Sequence, residues 1–149
     1  MNQIETDICV IGGGSGGLSL AAGAVQMGAR VVLFEGGQMG GDCLNSGCIP
    51  SKALLAAAKA AYLANGNAAM GITNTPPNID FYTVKAHVAD VIAQIEPHDS
   101  IARFEALGVT IITEMAHFTG PRAVASATHQ VQAKYIVIAS GSQPILPTI

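Results

Sequence analysis

The sequence predicts an α/β fold with a parallel sheet, flanking helices and an inserted antiparallel β-meander. Three observations carry that prediction. A continuously apolar run ends on a glycine cluster, and a helical pattern follows it. A second short β-branched run comes next, closing a strand–helix–strand unit within about 30 residues. In the last third, from Val109 onward, short alternating segments replace the helical period.

Each element can be justified in turn. Ile4 to Ile11 turns fully apolar after Asp7, as a strand buried on both faces does. Leu18, Ala21, Ala22 and Val25 recur at helical spacing, and Gly28 ends that helix. Arg30 to Glu35 reads as the second strand, ending on an acid. A glycine-rich stretch, Gly36 to Gly47, leads into an Ala/Leu-rich helix from about Pro50 to Ala64, because proline is tolerated in the first helical turn. Asn65, Gly66 and Asn67 close it, and Asn74 to Asp80, with Pro76 and Pro77, reads as a surface loop. Val84, Val88, Val91, Ile92 and Ile95 mark one face of a further helix that Pro97 breaks. Asp99 or Ser100 can cap a short continuation closed by Gly108. Then come VTIIT, AHF, AVASA, QVQA and YIVIA, expected to form the meander, with Tyr135 to Ala139 as a buried strand.

Composition excludes several classes. Of 149 residues, 11% are charged and 50% hydrophobic, with a mean hydropathy of +0.42, so the chain is not disordered. The net charge is -3 and no Lys/Arg cluster could neutralise a phosphate backbone, which argues against nucleic acid. Arg30 and Lys59 interrupt the apolar runs below the roughly 20 residues of a membrane span. Glu5 and Asp7 stand where a secretion signal would be basic, so a cytoplasmic protein is expected. So little charge also suggests that a cofactor, a subunit or further chain covers apolar faces. The end, Pro144 to Ile149, lacks a helix or charged tail and reads as cut.

Two motifs carry chemistry. Gly12-Gly13-Gly14-Ser15-Gly16-Gly17 places G-x-G-x-x-G between strand and helix, the Rossmann-like arrangement for a dinucleotide. Gly12 would permit the turn, Gly14 the approach of a pyrophosphate and Gly17 close helix packing, with the helix N-terminus facing the phosphates. Glu35, 18 residues after Gly17, stands where an acid accepts hydrogen bonds from a ribose 2′-hydroxyl. The second motif pairs Cys43 with Cys48, separated by four residues. A bridge closing so short a loop would add only about 2 kcal/mol, so chemistry explains it better than stability. Positions i and i+5 of one helix are too distant for a disulfide; Gly40, Gly41 and Gly47 supply the irregular backbone that the pair needs. Cys48 would open the helix, where the dipole favours a thiolate. Zinc lacks further ligands nearby, and two unrelated buried thiols fit the spacing alone. The upstream dinucleotide motif favours a redox pair. Cys9 reads as a core residue.

The run GGDCLNSGCIPSK resembles the redox-active signature of the class I pyridine nucleotide-disulfide oxidoreductases, and IVIASGSQP is similar to their second FAD motif. Pro50-Ser51-Lys52 is closest to the dihydrolipoamide dehydrogenase and mercuric reductase branches. The resemblance spans nearly the whole chain and implies that residues 1–149 form the N-terminal part of an FAD-binding domain. It implies FAD at Gly12, Gly14, Gly17, Glu35, Gly41 and Asp42, with Lys52 near the flavin, Ala116 at the adenine, and Ser140 and Gly141 in the second motif. Cys48 would face the flavin and Cys43 would exchange with a small-molecule disulfide, dithiol or metal-ion substrate. NAD(P) and a homodimer interface with its catalytic His-Glu pair would belong to domains absent here, leaving the fragment inactive by itself. A flavin- or nucleotide-binding module without turnover is the rival reading. Asp42 and Ser140 stand where the family often has Thr, and Glu114 where it often has Gly.

Overall fold

The computed structural model of the protein describes residues 1–142 and 145–148. Gln143 and Pro144, at the end of the second motif, and Ile149 lie outside the described residues. Strand β1 (Asn2–Ile11) leads through the glycine turn into α1 (Ser15–Gln26) and then β2 (Val31–Phe34). Next come α2 (Gly41–Asn45), α3 (Cys48–Ala64), the ribbon β3 (Gly66–Asn67) and β4 (Ile72–Thr73), and α4 (Phe81–Ile95). Helix α5 (Ile101–Ala106) precedes β5 (Val109–Ile112), β6 (His117–Gly120), β7 (Ala123–Ala125) and β8 (His129–Ile138). The main sheet has the order β5-β2-β1-β8-β7-β6. The first four strands are parallel, while β8, β7 and β6 run antiparallel to one another.

Both faces of the parallel strands are covered, which is why β1 and β2 read as unbroken apolar runs. Val10, Val31 and Leu33 pack with Leu18, Ala21 and Ala24 of α1 and Phe104 of α5. Their neighbours Cys9, Val32 and Phe34 point to the opposite face and pack with Ile112, Val124, Val131 and Ala133. Cys9 is fully buried, as expected of a core residue, and burial pushes its thiol up to about 11. The periodicity of α4 is real but its burial is partial. Val84, Val88, Val91, Ile92 and Ile95 are half-buried, because the helix packs chiefly against α3, where Ala53, Ala57 and Ala61 form the less exposed stripe. Leu55, Tyr62 and Leu63 on α3 and Tyr82 on α4 remain 64–82% exposed. Ser100 caps α5, its hydroxyl accepting the Arg103 N–H.

Three expectations need correction. VTII does not belong to the meander: β5 pairs parallel with β2, from Val31↔Val109 to Phe34↔Ile112. The helical crossover ending in α5 returns the chain in the direction of β2, and a short apolar run carries no mark of which partner it takes. QVQA and YIVIA are one ten-residue strand, β8, aligned with β1 along its length, so the meander is β6–β7–β8. Tyr135 and Ile138 are not buried but 70% and 67% exposed, while Ile136, Val137 and Ala139 of that stretch pack on the core layers. Helix α2 and the β3–β4 ribbon were not expected, the first because glycine-rich composition hides a single helical turn.

Two carboxylates tie strand ends together. Asp7 pairs with Lys134 at 2.7 Å and Arg30 at 3.4 Å, joining β1 to β8 and to the start of β2. Glu114, in the β5–β6 loop, accepts the Thr128 N–H at 3.0 Å and the Thr128 hydroxyl. The Ser126 and Thr128 hydroxyls and the Thr128 amide lower its carboxyl from 4.5 to about 2. A depressed folded-state value stabilises the fold above pH 4.5, and the contribution is lost as pH falls toward 2. Glu114→Gln should therefore flatten the loss of thermal stability over that range, as a Tm series from pH 6 to 2 would read. An unchanged slope would assign the clamp no electrostatic role.

Candidate functional site

The glycine turn and its surroundings form a cleft at the carboxyl ends of β1, β2 and β8, where the chain leaves β1 in one direction and β8 lies on the other side. Open α/β sheets bind ligands at such a switch point. Gly12 has φ +112°, and a Cβ there would lie 2.1 Å from the Ala139 carbonyl oxygen. A Cβ on Gly17 would lie 1.9 Å from the Gly12 carbonyl, so α1 can approach β1 only with glycine at that position. Gly14, the cap of α1, is different: the nearest atom to its added Cβ is the Gly41 Cα at 3.7 Å. No packing demand accounts for a bare Cα there. It lies open to the cleft.

The second glycine stretch docks on the first. Gly40 N–H donates to the Gly13 carbonyl at 2.9 Å, and a Cβ on Gly41 would come within 2.7 Å of the Gly14 Cα. Glu35 spans the turn with both oxygens, accepting Gly13 N–H at 2.5 Å and Gly37 N–H at 2.6 Å. The cleft measures about 530 Å³, within the usual range for small-molecule sites. Gly12, Gly14, Glu35, Gly41, Asp42, Ser140 and Gly141 all line it. The lining includes no Lys or Arg, so an anion would meet backbone amides and the α1 N-terminus. These bare glycines, free amides and an acid fit a dinucleotide with an unmodified ribose; Glu35 would repel a 2′-phosphate.

Gly17, Cys43, Cys48, Lys52 and Ala116 do not line this cleft. Gly17 lies behind it, in the first turn of α1 against the Gly12 carbonyl. Ala116 precedes β6 and packs on the second core layer, while the neighbouring Met115 reaches over Gly36, beside Glu35. Cys43 is on α2, one residue from the cleft wall, and Cys48 opens α3. The two are free thiols on either side of a backbone break at Ser46 and Gly47, where α2 ends before α3 begins. The break lies at Gly47, as the sequence requires. Gly40 and Gly41, at φ +85° and +57°, set the approach to α2.

The Cys48 hydrogen bond pushes the Cys43 thiol up, with burial and the negative charge of a Cys48 thiolate adding to it, while Lys52 opposes the shift. Removing the partner should reverse this. Cys48→Ala should move the pH profile of Cys43 alkylation to lower pH than in the reduced parent. A profile that stays in place would mean that the thiols do not interact.

Sequence reasoning missed Gln38, Asn45, Ser46 and Ser142, which also line the cleft. Asn45 donates to the Met39 carbonyl at 3.1 Å and the Gly41 carbonyl at 2.8 Å, holding the second glycine stretch in shape. An asparagine within a glycine-rich run is the one signal that could have found it. A separate hollow of about 340 Å³, beside Arg30 and Gly108, contains none of the sequence-predicted residues. Among the described residues no group of three or more His, Cys, Asp and Glu could hold a metal ion.

A profile of the pyridine nucleotide-disulphide oxidoreductases matches residues 6–149. The chain belongs to that family. Its relatives within the family carry two names. It is 35% identical to dihydrolipoyl dehydrogenase 2, chloroplastic, of Arabidopsis thaliana over 97% of this chain and 26% of that protein. It is 30% identical to mercuric reductase of Bacillus cereus over 97% of this chain and 23% of that protein. The chain thus spans about a quarter of the length of the curated relatives it matches. The fold is shared with the HOCl-induced flavoprotein disulfide reductase RclA from Escherichia coli, solved as a Cu(II) complex, at a TM-score of 0.77 and 23% identity. That match covers 96% of this chain and 29% of the other. No described helix is long and apolar enough to cross a membrane.

Proposed function

We propose that the chain is the N-terminal part of an FAD-binding domain in a cytoplasmic oxidoreductase that moves electrons between NAD(P)H and a Cys43–Cys48 redox pair. The observation that carries this reading is the pair of free thiols flanking the α2–α3 break, beside a glycine-lined cleft in which packing gives no reason for Gly14. FAD, when bound, supplies a two-electron relay between a nicotinamide and a disulfide. This chain's residues bind and position it: Glu35 takes the adenosine ribose, Gly12, Gly14 and the α1 N-terminus take the pyrophosphate, and Gly41, Asp42, Ser140 and Gly141 complete the wall. With the cofactor bound, Ala116 would lie at the adenine and Lys52 near the flavin.

The thiols carry the exchange. Cys43 attacks a substrate disulfide, forming a mixed disulfide and releasing one thiol. Cys48 then attacks the Cys43 sulfur, closing the Cys43–Cys48 bond and releasing the second thiol. Cys48, at the start of α3, is assigned as the flavin-facing thiol and Cys43 as the interchange thiol. The dithiol-oxidising direction runs the same exchange backwards. The acceptor is proposed as a small-molecule disulfide or dithiol, dihydrolipoamide-like, with mercuric ion the second choice because relatives of both names match at similar identity. The nicotinamide site and a homodimer interface are assigned to chain outside these residues.

The test uses the complete, flavin-loaded protein. Anaerobic NADH or NADPH should expose two new maleimide-reactive thiols in the tryptic peptide 31–52, which holds Cys43 and Cys48 and no other cysteine. No gain of thiols with either nucleotide would overturn the reading in favour of a binding module.

A further inference from the structure

The turn between the two cysteines is held by one residue. Asp42 directly precedes Cys43, and three hydrogen bonds converge on it from the two residues before Cys48. Ser46 Oγ donates to Asp42 Oδ1 at 2.6 Å. The Ser46 and Gly47 amides donate to the Asp42 carbonyl at 3.0 and 2.6 Å. Gly47 lies so close that a Cβ would be 2.7 Å from Asp42 Oδ2. This side-chain bond does not belong to any regular helix: α2 ends at Asn45 and α3 starts at Cys48. It closes a ring over residues 42–46, which holds Cys43 and most of the segment leading to Cys48.

We propose that Asp42 is a positioning residue for the thiol pair, its carboxylate accepting the Ser46 hydroxyl so that the backbone between Cys43 and Cys48 stays bent and favours the disulfide over the dithiol. The proposal rests on the redox reading of this pair. Residues i and i+5 meet only while the backbone between them stays bent. A dithiol whose bend is already set loses little further freedom on closing the S–S bond, whereas a relaxed loop must lose it then. Losing the side-chain bond therefore lowers the effective concentration of one thiol at the other. It should leave the sheet intact, because Asp42 and Ser46 are both exposed; both line the cleft, so the flavin content of each variant is measured alongside. Asparagine at 42 still accepts the Ser46 hydroxyl, so the effect follows the hydrogen bond and not the charge.

The experiment is a redox titration of the intact, flavin-loaded protein, equilibrated anaerobically with glutathione and glutathione disulfide at pH 7. Two Cys thiols and one glutathione disulfide give the Cys43–Cys48 bond and two glutathione thiols, the electrons and protons passing to glutathione. Acid quenching, maleimide labelling and mass analysis of peptide 31–52 read the ratio of disulfide to dithiol. Ser46→Ala and Asp42→Ala should each lower the equilibrium constant for disulfide formation by about 3- to 10-fold, the usual scale for one hydrogen bond. A tenfold change is about 30 mV for this two-electron couple. The double variant should go no further than either single one, and Asp42→Asn should stay within about twofold of the parent, by the same scale. A Ser46→Ala constant matching the parent overturns the proposal, as does an Asp42→Asn constant matching Asp42→Ala. Failure of the parent itself to form the disulfide in any buffer would instead sink the redox reading on which the proposal rests.

Discussion

Cys43→Ser and Cys48→Ser variants of the complete protein should each lose disulfide turnover by about three orders of magnitude or more, because exchange needs one attacking and one resolving thiol acting as a unit. Their spectra should differ. Cys43→Ser leaves Cys48 as the remaining thiolate, and with oxidised flavin it should show a long-wavelength charge-transfer band; Cys48→Ser should not. Absorption spectra of the two purified variants, alongside steady-state rates with a disulfide substrate, make the comparison. A band found only in Cys48→Ser would reverse the roles of the thiols. Turnover retained by both variants would make the pair structural, and the enzyme reading would fail.

Alanine at the three motif glycines should separate folding from binding. Gly12→Ala places a Cβ 2.1 Å from the Ala139 carbonyl at φ +112°, and Gly17→Ala places one 1.9 Å from the Gly12 carbonyl. Neither neighbour is a side chain that can turn away. Each variant should lose about 3 kcal/mol or more of stability, from strain and forced separation of packed backbone. Gly14→Ala meets nothing closer than 3.7 Å, and its conformation, φ -81° and ψ -177°, suits alanine. Its unfolding midpoint should lie within about 1 kcal/mol of the parent, the cost of alanine at a helix cap, while FAD affinity falls by at least about tenfold through loss of close backbone approach. Urea titrations and flavin binding on the same preparations would read both quantities. A Gly14→Ala variant that binds FAD as the parent does would remove the pyrophosphate from this turn.

The elements that the sequence reveals are those whose local pattern admits one reading. Strand β1, helix α1 and strand β2 follow from a buried apolar run, a helical stripe and a second buried run. The three motif glycines are legible because each stands at a point where chain geometry leaves no alternative or where an approaching group needs space. The cysteine pair is legible for a similar reason: spacing i, i+5 demands a break, and glycine at 47 is where the backbone breaks. The stripe on α4 was readable too, yet its residues are only half-buried, since periodicity tells which side faces a neighbour and not how large that neighbour is.

By itself, then, the amino-acid sequence determined the α/β class, the glycine turn with its acid at Glu35, and the two thiols flanking a backbone break. Each of these is marked by a local pattern, an apolar run ending on glycines or a cysteine spacing that no single helix permits, even where its partner lies far along the chain. The tertiary structure alone decided that β5 joins β2 and that β8 runs unbroken beside β1. It also decided that Met115 reaches Gly36 and that Gly40 docks the second glycine stretch on the first, with Asn45 holding the second in shape. Those are long-range pairings or uses of an ordinary side chain, and a short apolar run or a lone asparagine satisfies many partners equally well until packing selects one.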